Sequence, residues 1–165
     1  MEGRTFWITG LSGAGKTTIG RLWYEELRAS GVPAVFLDGD RLRQAIGDDL
    51  GYSEADRRKS ARRNGKLCAL LAEQGLTVVC CTICMYDEAR LWNRENIPGY
   101  FEVYVKASME TLRQRNQKGL YSGGTEVAGL QVRVEEPKNP DLILENDGQR
   151  TPAEQVAILR AAAGK

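Results

Sequence analysis

Gly10, Gly15, Lys16 and Thr17 stand at the spacing G-x-x-x-x-G-K-[ST] within the stretch Phe6 to Gly20. Those residue types in that order suit one task, holding a polyphosphate. Glycines let successive backbone N–H groups turn inward, and the helix that follows adds the positive end of its dipole. Lys16 would place a point charge at the β and γ phosphates, and the Thr17 hydroxyl would be a magnesium ligand. The candidate ATP-binding set is Gly10, Ser12, Gly13, Ala14, Gly15, Lys16, Thr17 and Thr18. A plain glycine-rich turn is disfavoured because the motif is complete, with a strand-like run before it and a helix-like run after it.

A phosphate loop also needs a carboxylate at the end of a neighbouring strand to organise magnesium and the attacking group. The apolar run Thr77–Thr82 ends in Cys and Thr and offers none, whereas Ala34–Leu37 runs into Asp38-Gly39-Asp40. Asp40 is the expected general base, and Asp38 is expected in the magnesium shell. Either could instead only cap a helix beginning at Arg41, a role that does not exclude catalysis. The chain has no histidine, so acid–base chemistry falls to carboxylates, lysines or bound water.

These residues need a scaffold, and the pattern along the chain supplies one. Short runs rich in Val, Ile, Leu, Phe or Cys at Thr5–Thr9, Ala34–Leu37, Thr77–Thr82, Phe101–Val105 and Leu142–Leu144 read as strands buried on both faces. Between them, helical patterns lie near Lys16–Ser30, Arg41–Ala45, Ser53–Gln74, Glu88–Asn96 and Met109–Arg115. A last helix runs to Ala162, with Thr151 as cap and Pro152 at its first position. The expectation is an α/β fold of the P-loop nucleoside-triphosphate hydrolase kind, a parallel five-stranded sheet flanked by helices. Residues 1–165 read as one domain. The stretch from about 113 to 140, with Gly119, Gly123, Gly124, Gly129 and no clear period, reads as a lid.

Ser53 to Asp56 reads as a capping box with Asp in place of Glu. The helix after it carries Arg57, Arg58, Lys59, Arg62, Arg63 and Lys66. Those charges could bind nucleic acid, line a pocket for a small phosphorylated substrate, or form a solvated face. A net charge of +1 and the lack of interleaved aromatics weigh against nucleic acid. Cys81 and Cys84 have C-x-x-C spacing at a strand end, and with Cys68 and Cys80 they are expected as reduced, buried or semi-buried thiols. No apolar run is long enough to span a bilayer and no cleavable signal pattern is evident, so the expected setting is cytoplasmic. A nucleotide-dependent switch is a rival reading, although no N-K-x-D motif occurs; an RNA-binding protein using Arg57–Lys66 is another.

The chain resembles adenylyl-sulfate kinases. The likeness rests on Gly10–Thr17, "LDGD" at Leu37–Asp40, Arg43, "DLGYSEADR" at Asp49–Arg57, Arg62–Arg63, Thr82–Tyr86, "FEVYV" at Phe101–Val105 and "KGLY" at Lys118–Tyr121. It implies transfer of the ATP γ-phosphate to the ribose 3′-hydroxyl of adenylyl sulfate, often by a homodimer. It matches Arg43, Arg57 and Lys118 to acceptor contacts, Asp40 to the base and Arg115 to a lid arginine near ATP. Lys16, Asp40 and Lys118 are then the catalytic candidates. Asp38, Asp40, Arg43, Tyr52, Arg57, Ser60, Ile83, Cys84, Lys118 and Val127 form the substrate-binding set. Departures cluster around the acceptor: Arg41 replaces the family's Asn, Ser60 an Asn, Ile83-Cys84-Met85 the "ISP", and Val127 an aromatic. With "NRENIPGYFEVYVK", "QKGLYSG" and "EEPK", they are similar to the branch of bacterial polysaccharide pathways that includes cytidine diphosphoramidate kinase.

Overall fold

The computed structural model describes residues 3–115 and 134–164. Five strands, β1 (Thr5–Thr9), β2 (Ala34–Asp38), β3 (Thr77–Thr82), β4 (Tyr100–Lys106) and β5 (Leu142–Glu145), form one sheet in the order β2-β3-β1-β4-β5. Every pairing is parallel. Helices α1 (Lys16–Ala29), α2 (Gly39–Ile46), α3 (Glu54–Glu73), α4 (Asp87–Asn96), α5 (Met109–Arg115) and α6 (Pro152–Ala163) connect or follow them.

The unbroken apolar runs of β1 and β3 arise because neighbouring strand residues face opposite layers and both layers are dry. The edge strands β2 and β5, expected to be buried on both faces, are only partly covered, with Ile143 half exposed. Phe6, Ile8, Val79 and Cys81 pack with Ile19 and Trp23 of α1 and Val156 and Leu159 of α6. Trp7, Val78 and Cys80 pack on the other side with Ala61, Cys68 and Ala69 of α3 and Ala89 of α4. Burial of each large apolar side chain contributes about 1.5–3 kcal/mol, and Phe6, Trp7 and Ile8 are all fully buried on the central strand. Gly20 lets α1 lie close on the sheet, since a Cβ there would collide with Cys81 Sγ.

Sequence-based boundaries shift where local hydrogen bonds intervene. α2 begins at Gly39 rather than Arg41 because the Asp38 carboxylate accepts from Asp40 N at 3.0 Å and so caps the helix two residues earlier. At α3 only half of the expected capping box forms. Ser53 Oγ accepts from Asp56 N at 3.1 Å, but the Asp56 carboxylate turns to Gly51 N at 2.9 Å, too short to act as Glu would. α6 has the full box: Thr151 Oγ1 accepts from Glu154 N, and Glu154 accepts from Thr151 N. Among the described residues no helix is long and apolar enough to cross a membrane.

Candidate functional site

In a parallel sheet every strand ends on the same edge, so the loops after β1, β2 and β3 share one rim. Register places Thr9 beside Thr82 and Asp38 beside Cys81, which brings the phosphate-loop motif and Asp38-Gly39-Asp40 to that rim as expected. Gly13 (φ 86°) and Gly15 (φ 104°) hold the left-handed backbone that turns the loop into α1. No side chain caps α1, and it alone among the described helices has no acid in its first turn. Its positive end is thus left to an anion. Lys16 is buried, with Nζ donating to Leu11 O at 2.8 Å across the loop, while Thr17 and Thr18 are exposed at the start of α1.

The loop is braced by residues from the far end of the chain. Asn146, directly after β5, donates from Nδ2 to Ala14 O at 2.8 Å, and Gln155 of α6 donates to Asn146 Oδ1 at 3.3 Å. Arg115, at the end of α5, donates to Gly13 O at 3.3 Å and to Asn146 O at 2.6 Å. The arginine expected near ATP is therefore at the phosphate loop. Asn146 and Gln155 escaped the sequence reading. The available signal for Asn146 was a polar residue directly after a buried strand, on the rim where such folds bind ligands.

Thr17 and Asp38 offer a hydroxyl and a carboxylate on the same rim, hard oxygen donors that fit magnesium. One Asp38 oxygen caps α2, leaving the other for a ligand. Among the described residues no group of three or more His, Cys, Asp or Glu could hold a metal. A magnesium ion bound with phosphates takes only one or two protein oxygens and completes its shell with phosphate and water. Asp40 is exposed on the first turn of α2.

A second cluster lies beyond α2. Arg43 donates to Gly51 O at 2.7 Å and Arg57 Nε to Tyr52 O at 2.9 Å, so two cations fasten the loop that carries Tyr52. Their guanidinium carbons lie 4.6 and 5.8 Å from the Tyr52 ring centre, and the ring is 63% exposed. Ser60 follows Arg57 by one turn on α3. Lys118 and Val127, the other acceptor contacts expected from sequence, lie outside the described residues, as does most of the expected lid.

The turn from β3 to α4 splits the remaining pair. Ile83 is half-buried, but Cys84 is buried with its thiol in the core, and burial pushes its pKa up to about 12. Of this pair, only Ile83 keeps its side chain part-exposed. All four cysteines are free and buried, as expected. Burial also lifts the Cys81 pKa well above the ordinary range, and a hydrogen bond with Cys68 followed by burial does so for Cys80.

Arg58, Lys59, Arg62 and Arg63 of α3 face carboxylates. Arg58 pairs with Glu54 at 2.9 Å, Arg62 with Glu88 at 3.3 Å, Arg63 with Asp49 at 2.9 Å and Lys59 with Asp49 at 3.6 Å. Exposed pairs of this kind stabilise weakly, but they neutralise the stripe that a nucleic acid would need.

Comparison with known proteins agrees with this geometry. The family described as "Adenylylsulphate kinase" matches residues 2–145. The chain is 40% identical over 152 residues to an adenylyl-sulfate kinase of Halothermothrix orenii, covering 89% of this chain and 82% of that protein. It is 35% identical over 158 residues to a cytidine diphosphoramidate kinase of Campylobacter jejuni, covering 93% and 92%. Among solved structures, the Mycobacterium tuberculosis APS kinase in complex with AMPPNP and APS superposes with a TM-score of 0.92 at 34% identity, covering 99% of each chain.

Proposed function

The chain belongs to the adenylylsulphate kinase family, and from that premise we propose that it transfers the γ-phosphate of ATP to the ribose 3′-hydroxyl of adenylyl sulfate. The observation that carries this reading is the shared rim. A complete phosphate loop with an uncapped α1 stands beside Asp38 and Asp40, and Arg43, Tyr52 and Arg57 are gathered on the acceptor side.

Phosphoryl transfer depends on positioning and charge neutralisation more than on covalent help. The loop amides and Lys16 bind the phosphates, and Arg115 and Lys118 share the charge that develops on the transferred group. Asp40 accepts the proton of the attacking hydroxyl. Thr17 and Asp38 hold magnesium, which supplies further neutralisation of the phosphate oxygens when bound. Tyr52 stacks on the acceptor base, Arg43, Arg57 and Lys118 meet its anionic groups, and Ser60, Ile83, the Cys84 backbone and Val127 complete the pocket. The stretch from about 113 to 140 acts as the lid that excludes water. The protein works in the cytoplasm as a homodimer.

A second reading has its own support. The Campylobacter jejuni relative aligns over nearly the full length of both chains, and Val127 stands where the resembled family has an aromatic. On this reading the acceptor is cytidine diphosphoramidate and the product serves polysaccharide modification. A coupled ADP-release assay with Mg-ATP and each acceptor decides between them. Preference for adenylyl sulfate supports the first, preference for the cytidine compound the second, and ADP release indifferent to either acceptor refutes both.

A further inference from the structure

Arg90 lies on the inner face of α4 with only 4% of its surface exposed. A guanidinium in that setting is costly unless each donor is matched. It donates to Cys84 O at 2.9 Å, to Asp87 Oδ1 at 2.6 Å and to Glu135 O at 2.5 Å. Burial pushes the Asp87 pKa up, but hydrogen bonds from Lys138 and Arg90 more than reverse this and hold the carboxyl below its ordinary value. Asp87 therefore stays an anion opposite the guanidinium.

Two of the three acceptors are main-chain carbonyls from separate stretches. Cys84 O belongs to the turn after β3, beside Ile83. The same carbonyl accepts from Thr9 Oγ1 at 3.2 Å, and Thr9 also reaches Ile83 O at 2.7 Å, so this turn is already tied to the strand that enters the phosphate loop. Glu135 O belongs to the segment that resumes at Val134. Glu135 N donates back to Met85 O at 2.7 Å, and Asp87 N donates to Glu135 Oε1 at 3.3 Å. One buried cation thus joins the β3–α4 turn to residues 134–136, with Thr9 holding the turn from the ATP side.

We infer that Arg90 is a positioning residue of the acceptor site, clamping the Ile83–Tyr86 turn to the Val134–Glu136 segment so that the acceptor-side wall keeps one geometry. This inference rests on the kinase reading above. Because Thr9 still ties the turn to β1 when Arg90 is lost, the damage falls on the acceptor and not on ATP.

The test uses the full chain with Arg90→Met and Arg90→Lys. Acceptor kinetics at saturating Mg-ATP, titration of a non-hydrolysable ATP analogue and amide exchange at Glu135 are measured in parallel with the native protein. Arg90→Met is expected to lower acceptor kcat/KM at least about tenfold, the effect of losing a buried charge-assisted bond. The loss should sit mainly in KM, with analogue affinity within about twofold. Exchange at Glu135 should quicken at least about tenfold. Arg90→Lys, which keeps the charge but not the fork, should fall between. If the Met variant does not fold, the Lys variant decides by the same readouts. Acceptor kcat/KM close to native, an equal loss of ATP affinity, or unchanged exchange at Glu135 overturns the inference. Should the native protein use neither acceptor, the kinase reading fails, and exchange at Glu135 alone upholds or overturns the clamp.

Discussion

Asn146 and Arg115 meet above the phosphate loop: Arg115 Nη2 donates to Asn146 O at 2.6 Å, and Asn146 Nδ2 donates to Ala14 O at 2.8 Å. A residue after the last strand thereby fixes a carbonyl of the loop after the first. The geometry is tight, since a Cβ at Gly15 would strike the Asn146 amide.

Replacing Asn146 with Ala leaves the Ala14 carbonyl short of its amide donor and loosens the loop. A lost hydrogen bond to a part-buried group costs about 1–3 kcal/mol. ATP-analogue affinity should therefore drop roughly five- to 150-fold, and acceptor KM should change little. Unaltered ATP affinity in a calorimetric titration would rule out the brace.

On the proposed kinase reading Lys16 neutralises charge at the phosphates, so Lys16→Ala should abolish phosphoryl transfer while the fold survives. Thermal melting and ADP release measured on one preparation separate the two effects. Near-native turnover would sink the ATP-site assignment.

Asp40→Asn keeps size and removes proton acceptance, so turnover should fall by roughly 10²–10⁴ with modest change in Mg-ATP binding. Asp38→Asn is the contrasting variant. Asn caps a helix as well as Asp does, so α2 should persist while magnesium dependence weakens. If Asp40→Asn instead weakens Mg-ATP binding, Asp40 belongs to the metal shell.

Glu102 gives a pH signature. It is 4% exposed and accepts from Tyr100 OH at 2.7 Å. Burial raises its pKa above the ordinary 4.5, with the Tyr100 hydrogen bond and Arg90 and Arg94 opposing. A raised carboxyl pKa means the fold prefers the neutral acid. Its contribution is thus most favourable below the unfolded pKa and declines as pH rises through the folded one. Glu102→Gln, whose amide oxygen can still accept from Tyr100, should melt higher than native at about pH 8 and converge with it below about pH 4. A gap in Tm that does not change with pH would contradict this.

The parts of the site that were legible in sequence are the contiguous ones. The phosphate loop and Asp38-Gly39-Asp40 declare themselves because their chemistry needs neighbours in sequence, and the uninterrupted runs of β1 and β3 declare themselves because both faces are dry. The Asn146–Ala14 bond joins residues 132 apart and the Arg90–Glu135 bond residues 45 apart. No local pattern encodes such pairings. Cys84 shows a subtler limit: the position is on the rim, but the turn after β3 directs the thiol into the core and its backbone into the turn's hydrogen bonds.

The acceptor preference turns on Tyr52 and Val127. Tyr52 is exposed and fastened by Arg43 and Arg57, so one face of a base can stack on it. At Val127 the resembled family offers a second aromatic, and valine replaces it here. Losing a base–aromatic stack costs about 1–3 kcal/mol, roughly a five- to 150-fold weakening, which is enough to alter preference. Adenylyl sulfate should therefore be a poorer acceptor for the native protein than for its Val127→Phe variant, and a cytidine nucleotide should compete with it. kcat/KM for adenylyl sulfate and cytidine diphosphoramidate, measured with both proteins, checks this. Strong native preference for adenylyl sulfate that Val127→Phe leaves unaltered would show that another group supplies the second stacking surface.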